Sequence, residues 1–289
     1  MNRLVVLVFF YGVSFISHGQ PNQISLGIFT GITSPYTFDS GIDRDSRYQQ
    51  RSQVKLVPIG ISYGVDYQGL GFVITPSLIS IGQDLDIVSS VGSREGTRKI
   101  TMKYAQLPIS LKLHVIDLAF LKVSMVGGVA VGYLMTGSET VTHNYGKYRF
   151  PAKVYPILPA NYIIEYDGVI APEIQKLEIV KQKDFNKVQI FGSFGFRSDW
   201  DLKESWRIAF DFRANYGFNE TRTASYLARA RGNQTLYDLN GSRREMFASL
   251  TVGVARYIEV DKQKTRKSKS FGKSKRRKGS SPARRKPRG

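Results

Sequence analysis

The sequence predicts an all-β fold, an eight-stranded antiparallel up-and-down transmembrane barrel, and three observations predict it. Apolar residues alternate with small or polar ones over eight long segments. The links between those segments alternate between short and long. A secretory leader opens the chain, so the body is expected beyond the cytoplasm.

The leader is residues 1–19. Arg3 precedes an apolar run from Leu4 to Ser17, and Ser17 and Gly19 supply small residues at −3 and −1 of a cleavage site before Gln20. The run is shorter than the ~20 residues of a spanning helix. No later segment is long and apolar enough for one either.

The strands then follow in order. Ser25 to Ile32 alternates weakly. From Val57 to Tyr67 the odd positions are apolar or aromatic, and the even ones are Pro58, Gly60, Ser62, Gly64 and Asp66. Side chains alternate faces along a strand, so this segment has one greasy face and one small or polar face. Leu70 to Ile81 is a weaker copy. Leu107, Ile109, Leu111, Leu113 and Val115 oppose Gln106, Pro108, Ser110, Lys112 and His114. Leu121, Val123, Met125, Val129, Val131 and Tyr133 oppose Lys122, Ser124, Gly128, Ala130 and Gly132. Val188 to Trp200 keeps the pattern except at Phe191, which breaks the polar face. Trp206 to Phe218 sets Trp and Phe against Arg207, Asp211, Arg213 and Asn215, and Phe247 to Ile258 closes the set.

Most segments run about 10–15 residues, against 5–6 for soluble strands and ~9–11 for a tilted membrane crossing. Short links fall near Gln68–Gly69, Asp117–Phe120 and Asp201–Glu204. Long ones cover roughly 34–53, 82–98, 136–186 and 218–244. Tyr63, Tyr67, Tyr133, Trp200, Trp206 and Tyr216 sit near strand ends, where an aromatic girdle belongs. A soluble secreted barrel also alternates, but it hides its apolar face and carries Lys, Glu and Thr outside. Here the apolar face is nearly free of charge, and Gly, Ser and Ala dominate the other face, which suits lipid outside and a narrow lumen inside. In the long loop, 163–167 and 176–181 form a hairpin extending strands five and six, or else add two membrane strands and make ten.

Several of these strands resemble those of a known family. Tyr104-Ala105-Gln106-Leu107-Pro108-Ile109-Ser110-Leu111-Lys112-Leu113 resembles the Leu-Pro-Ile strand of the PorT-like outer-membrane barrels of Bacteroidetes. Val126 to Tyr133, Phe191 to Phe196 and Asp211 to Gly217 resemble that family's later strands, and the cover is roughly residues 20–258. The resemblance implies an eight-stranded barrel in the outer membrane of a Gram-negative bacterium, and a role for some members in type IX secretion and gliding. The loop at 136–186 is long for that family, and the basic tail lies outside its pattern.

Eight strands enclose an interior just wide enough for side chains. The inward face supplies Lys112, His114, Lys122, Arg197, Asp199, Arg207, Asp211 and Arg213, expected to pair as a lumen network because unpaired buried charge is costly. Neither catalysis nor a cofactor is expected. The chain has no cysteine and only three histidines, one of them in the leader. His114, near Ser110, and His143, in the long loop, fall into no Ser–His–acid pattern, and no phosphate-cradling loop is present.

The long loop carries Tyr145, Tyr148, Tyr155, Tyr162 and Tyr166, expected either to bind a partner protein or to pack on themselves as a cap. The formal charge of +19 comes from 42 Lys and Arg against 23 Asp and Glu. Fourteen of those bases fall in residues 262–289, which hold no acid, leaving 28 against 23 elsewhere. Residues 259–289 therefore read as a disordered periplasmic tail. Its Lys264, Arg266, Lys267, Lys269, Lys275, Arg276, Arg277, Lys278, Arg284 and Arg285 would contact a polyanion. Outside the cytoplasm that means acidic lipid, peptidoglycan or an acidic partner rather than nucleic acid, and Phe271 alone offers no stacking pattern for bases. The expected function is non-enzymatic: an anchor or accessory subunit of an envelope or secretion assembly. The alternatives are a small channel or surface receptor and, behind them, a lipid-modifying barrel enzyme.

Overall fold

The computed structural model describes residues 23–149, 158, 160–166, 168–202, 205–232 and 236–260, the side chains of 56 and 57 aside. The expected leader and all but the first two residues of the expected tail lie outside the described residues. The strands are β1 (Gln23–Asp39), β2 (Tyr48–Gln50), β3 (Lys55–Asp66), β4 (Leu70–Ile74), β5 (Ser77–Ile81), β6 (Asp84–Val88), β7 (Arg94–Asp117), β8 (Leu121–His143), β9 (Gly146–Tyr148), β10 (Ile163–Glu165), β11 (Gly168–Ala171), β12 (Ile174–Val180), β13 (Val188–Asp201), β14 (Trp206–Gly217) and β15 (Arg243–Glu259). Two helices, α1 (Ser40–Asp43) and α2 (Ala224–Gly232), and a 3-10 turn (Gln182–Asp184) join them.

Eight staves close the barrel in chain order: β1, β3, the broken pair β4 and β5, β7, β8, β13, β14 and β15. Each is antiparallel to both neighbours. The ring shuts where β15 pairs with β1 along its whole length, from Gln23 opposite Glu259 to Asp39 opposite Arg243. Closure leaves the ring without an edge, the condition for crossing hydrocarbon with strands. The third stave breaks at Thr75–Pro76, where proline has no N–H to donate to the ladder.

The sidedness is inverted relative to a soluble barrel. On β7, Leu107, Ile109, Leu113 and Val115 are 41–64% exposed, whereas Gln106, Ser110 and Lys112 are at most 6% exposed. Some inward glycines are required by the closeness of the next strand. A Cβ on Gly195 would lie 1.9 Å from the Phe212 carbonyl oxygen, and one on Gly128 would lie 2.3 Å from that of Ile109.

The outward apolar band ends sharply on the long-loop side. Register shifts between Lys103 and Tyr104, because Lys103 faces Thr136 and Tyr104 faces Leu134, leaving Met135 as a bulge. Below it β8 turns Val129, Val131 and Tyr133 outward; beyond it the outward residues are Ser138, Thr140 and Thr142. On β7 the outward series likewise passes from Leu107 and Ala105 to Lys103. This is where the strands leave hydrocarbon.

Beyond the band the staves continue further than alternation implies. β1, β7, β8 and β15 run into segments read from the sequence as loop, and β2 and β6 extend β7. The ten-stranded alternative does not occur. The expected hairpin of 163–167 with 176–181 is also corrected: β10 pairs with β11, which pairs with β9, in a separate three-stranded sheet. β12 instead adds to the projecting end of β8, which overhangs the shorter β13. An apolar cluster of Ile81, Leu85, Ile100, Met102, Val141 and Tyr226 fills this outer part.

Candidate functional site

The lumen is a stack of layers. At the short-turn end lies the first charge network, and seven of the eight inward charged residues read from the sequence enter it by ion pair or close approach to a carboxylate. Lys112 Nζ is 2.5 Å from Asp66 Oδ1 and 3.5 Å from Asp199 Oδ2. Arg207 Nη1 is 2.9 Å from Asp66 Oδ2, and its Nε is 2.5 Å from Asp201 Oδ1. Arg197 Nε donates to Asp199 Oδ1 at 2.8 Å, and its Nη1 lies 3.5 Å from Asp211. Arg213 holds Asp211 at 2.6 Å and donates to Ser110 Oγ at 2.8 Å. Lys122 joins through the side chain of Gln23, to which its Nζ donates at 2.7 Å; Arg207 Nη2 reaches the same oxygen at 2.7 Å.

These pairs cross the lumen rather than run along one ladder. Lys112 on β7 reaches β13 past β8, and Arg207 on β14 reaches β3 past β15 and β1. Four cations meet four carboxylates, a balance that burial demands because an unpaired charge here costs several kcal/mol, about 3–5 when one partner is removed. The sequence reading omitted Asp66, Asp201 and Gln23, although Asp66 stood on the polar face of its strand.

His114 belongs to this layer. Its ring Nδ1 is 2.8 Å from Ser124 Oγ, and its Nε2 is 3.6 Å from Asp66 Oδ1. The serine is Ser124, not the Ser110 expected from sequence spacing. A serine, a histidine and an aspartate are therefore in line, but Ser124 is 0% exposed and Asp66 is held by Lys112 and Arg207. A nucleophile walled off in this way meets no carbonyl.

Above the network is a cavity of about 60 Å³, lined by Thr33, Ser62, Gln106, Arg213, Asn215 and Ser249 among others. It has room for a few waters at ~10–15 Å³ of such volume each. An aromatic layer covers it. Phe191, the residue that broke the polar face, packs edge-on against Tyr104 and Phe247 at centroid distances of 6.0 and 5.6 Å.

The second charge network closes the long-loop end, and the sequence reading missed it. Arg243 Nε donates to Asp39 Oδ2 at 2.6 Å, and its Nη1 donates to Glu139 Oε2 at 2.7 Å, across the lumen from β15 to β8. Arg98 pairs with Glu139 and donates to Tyr48 Oη at 3.0 Å and to the Tyr237 carbonyl at 2.8 Å. Arg222 donates to the carbonyls of Leu239 and Gly241 at 3.1 and 2.7 Å, tying the outer loop down. Arg98, Asp39, Glu139 and Arg243 are all 0% exposed. Arg98 and Glu139 were hidden because their stretches of strand have no outward apolar face, whereas Asp39 was missed although Tyr36 and Phe38 face outward beside it.

His143 is the last residue of β8, not a loop residue. Its Nε2 accepts from Tyr237 Oη at 2.5 Å and its Nδ1 donates to the Asn144 carbonyl at 2.8 Å, a neutral ring used as a strut. The tyrosines of the long loop separate. Tyr148 is 2% exposed and its ring is 4.8 Å from that of His143, while Tyr162 reaches Tyr237 Oη at 3.4 Å. Tyr145 and Tyr166 stand out at 66% and 107% exposure. Tyr155 and the ten tail cations lie outside the described residues. Burial pushes the Tyr148 phenol up to about 12. Burial, with the Glu139 carboxylate nearby, does the same to Tyr226 on α2. Among the described residues no group of His, Asp and Glu has the geometry of a metal site.

The sequence profile of the outer membrane protein β-barrel domain matches residues 17–222. No curated protein matches the chain. Similar solved structures include neisserial surface protein A, at 9% identity over 81% of this chain and 96% of that one, TM-score 0.35. Ail of Yersinia pestis is 9% identical over 83% and 100%, TM-score 0.32. The outer membrane protease OmpT of Escherichia coli is 9% identical over 83% and 98%, TM-score 0.36. The chain thus belongs to the outer membrane protein β-barrel domain family, and its place is the outer membrane of a Gram-negative bacterium.

Proposed function

We propose that this barrel is a PorT-like, non-enzymatic anchor or accessory subunit of an envelope assembly of the type IX secretion or gliding kind. One observation carries the reading: the lumen is filled at both ends by cross-strand ion networks, so the barrel offers a platform and not a passage. By the rule that short turns face the periplasm, the long-loop end is extracellular and both termini are periplasmic. Tyr145 and Tyr166 would then be the loop's contacts for a protein partner, and Tyr148 and Tyr162 their support. The basic tail would touch acidic lipid, peptidoglycan or an acidic protein on the periplasmic side.

Affinity purification from cross-linked envelopes tests this, with the full chain compared against a full-length form in which the fourteen Lys and Arg of residues 262–289 are Gln. The reading expects the same envelope proteins to be recovered with both forms through the loop, and the periplasmic ones to be lost with the Gln form. Recovery of lipid alone with either form would sink it. The polar cavity favours a second reading, a small channel or receptor.

A further inference from the structure

We infer that the outer wall of the barrel carries a binding site for the phosphate groups of a phosphorylated glycolipid, built around the Met135 bulge. Three separate pieces of chain converge there. Lys103 of β7 sits opposite Thr136. Gln182 donates its side-chain amide to the Met135 carbonyl at 2.8 Å, which holds Lys181 and Lys183 on either side of it. The Lys187 carbonyl accepts from the Leu134 N–H at 2.7 Å. Four lysines from two stretches of sequence are therefore stitched to residues 134–136 of β8, and all four are exposed.

Among the described residues, no carboxylate stands within ion-pair distance of these four lysines. Asp184, the acid nearest in sequence, is buried and turned onto Arg229 and the Lys181 N–H. Four cations without a carboxylate beside them, held on one short stretch of the wall, raise the local positive potential and favour an anion there.

The neighbourhood specifies which anion. Directly below the lysines the wall presents Leu107, Val131, Tyr133 and Met135, a surface for acyl chains. Directly above, Thr136, Ser138, Thr140 and Thr142 form a column of outward hydroxyls along β8, partners for sugar hydroxyls. Acyl chains, then phosphate, then sugar is the vertical order of a phosphorylated glycolipid in an outer leaflet. Lysines at the hydrocarbon border can reach such phosphates while their stems stay on the apolar wall.

This assignment rests on the orientation proposed above. That orientation is checked separately by thiol labelling of Tyr145→Cys on intact cells. The direct test titrates diphosphoryl lipid A, and the same lipid stripped of phosphate, into the purified full-length protein in detergent. The tail cations are replaced by Gln throughout, so that they cannot bind the probe. The phosphorylated form should bind about tenfold more tightly, a preference that Lys103→Gln/Lys181→Gln/Lys183→Gln/Lys187→Gln abolishes and the corresponding Arg variant keeps. Phosphatidylglycerol and inorganic phosphate should not compete at equal concentration. Equal affinity for the two lipids, a preference surviving the Gln variant, or effective competition by phosphatidylglycerol would overturn the assignment. The first comparison needs no cluster variant, so it decides even if the quadruple variant fails to fold.

Discussion

Buried and exposed ion pairs in this protein differ in what their loss should cost. Glu139 is wholly buried between Arg98 and Arg243, so Glu139→Ala leaves two guanidiniums short of a carboxylate. Chemical unfolding of the variant in detergent should show a loss of about 3–5 kcal/mol. Glu165→Ala removes one partner of Lys147 from a part-exposed pair and should cost no more than about 1 kcal/mol. Equal losses would mean the inner network is wet. The buried phenols give a pH window. Tyr148 and Tyr226 ionise near 12 in the folded protein and near ~10 when unfolded. Their contribution to stability is fully present below pH ~10 and is lost as pH rises toward 12, because the unfolded chain ionises first. Phenolate absorbance should show Tyr148 and Tyr226 among the tyrosines that titrate late, with the Tyr237 phenol also pushed up by burial, and that lag should vanish in denaturant.

The strands show which part of the fold was legible in sequence. Within the membrane band, outward Leu, Ile and Val against inward Ser, Gly and charge gave alternation that marked all eight staves and all three short turns. Past the Lys103–Thr136 border the chemistry reverses: Thr140 faces out, while Ile100, Met102 and Val141 face in. The Met135 bulge also shifts the parity of β8 by one residue, so a continuous pattern breaks at the point where the strand continues. For these two reasons the projecting ends of β7 and β8 looked like loop and Arg98 and Glu139 went unread; β1 keeps Tyr36 and Phe38 outward to its end, so Asp39, and Arg243 opposite it on β15, were missed for want of reading that alternation further. The inward charges of the short-turn end were legible because they lay on strands already recognised. Deleting Met135 tests the bulge. It removes the extra residue, so Thr136 follows Leu134 in regular alternation and Val141 and His143 stay inside while Thr140 and Thr142 stay outside. Hydrogen exchange should then report protection retained in residues 136–143 and β12 as well as in the membrane band. Loss of protection confined to residues 136–143 and β12 would mean that the projecting end depends on the bulge itself.

At the scale of the molecule, closure, an inside-out surface and a filled interior belong together. A barrel of eight staves is too narrow to leave its lumen charges solvated, so they pair across it, and pairing across it shuts it at both ends. What remains for interaction is the outside: the exposed tyrosines, the lysine cluster at the hydrocarbon border and the basic tail. The central claim, that this is a platform and not a pore, is tested most directly by single-channel recording of the purified full-length protein in planar bilayers. The account predicts no current steps above baseline at moderate voltage. Reproducible ohmic steps that persist when the tail cations are replaced by Gln would contradict it.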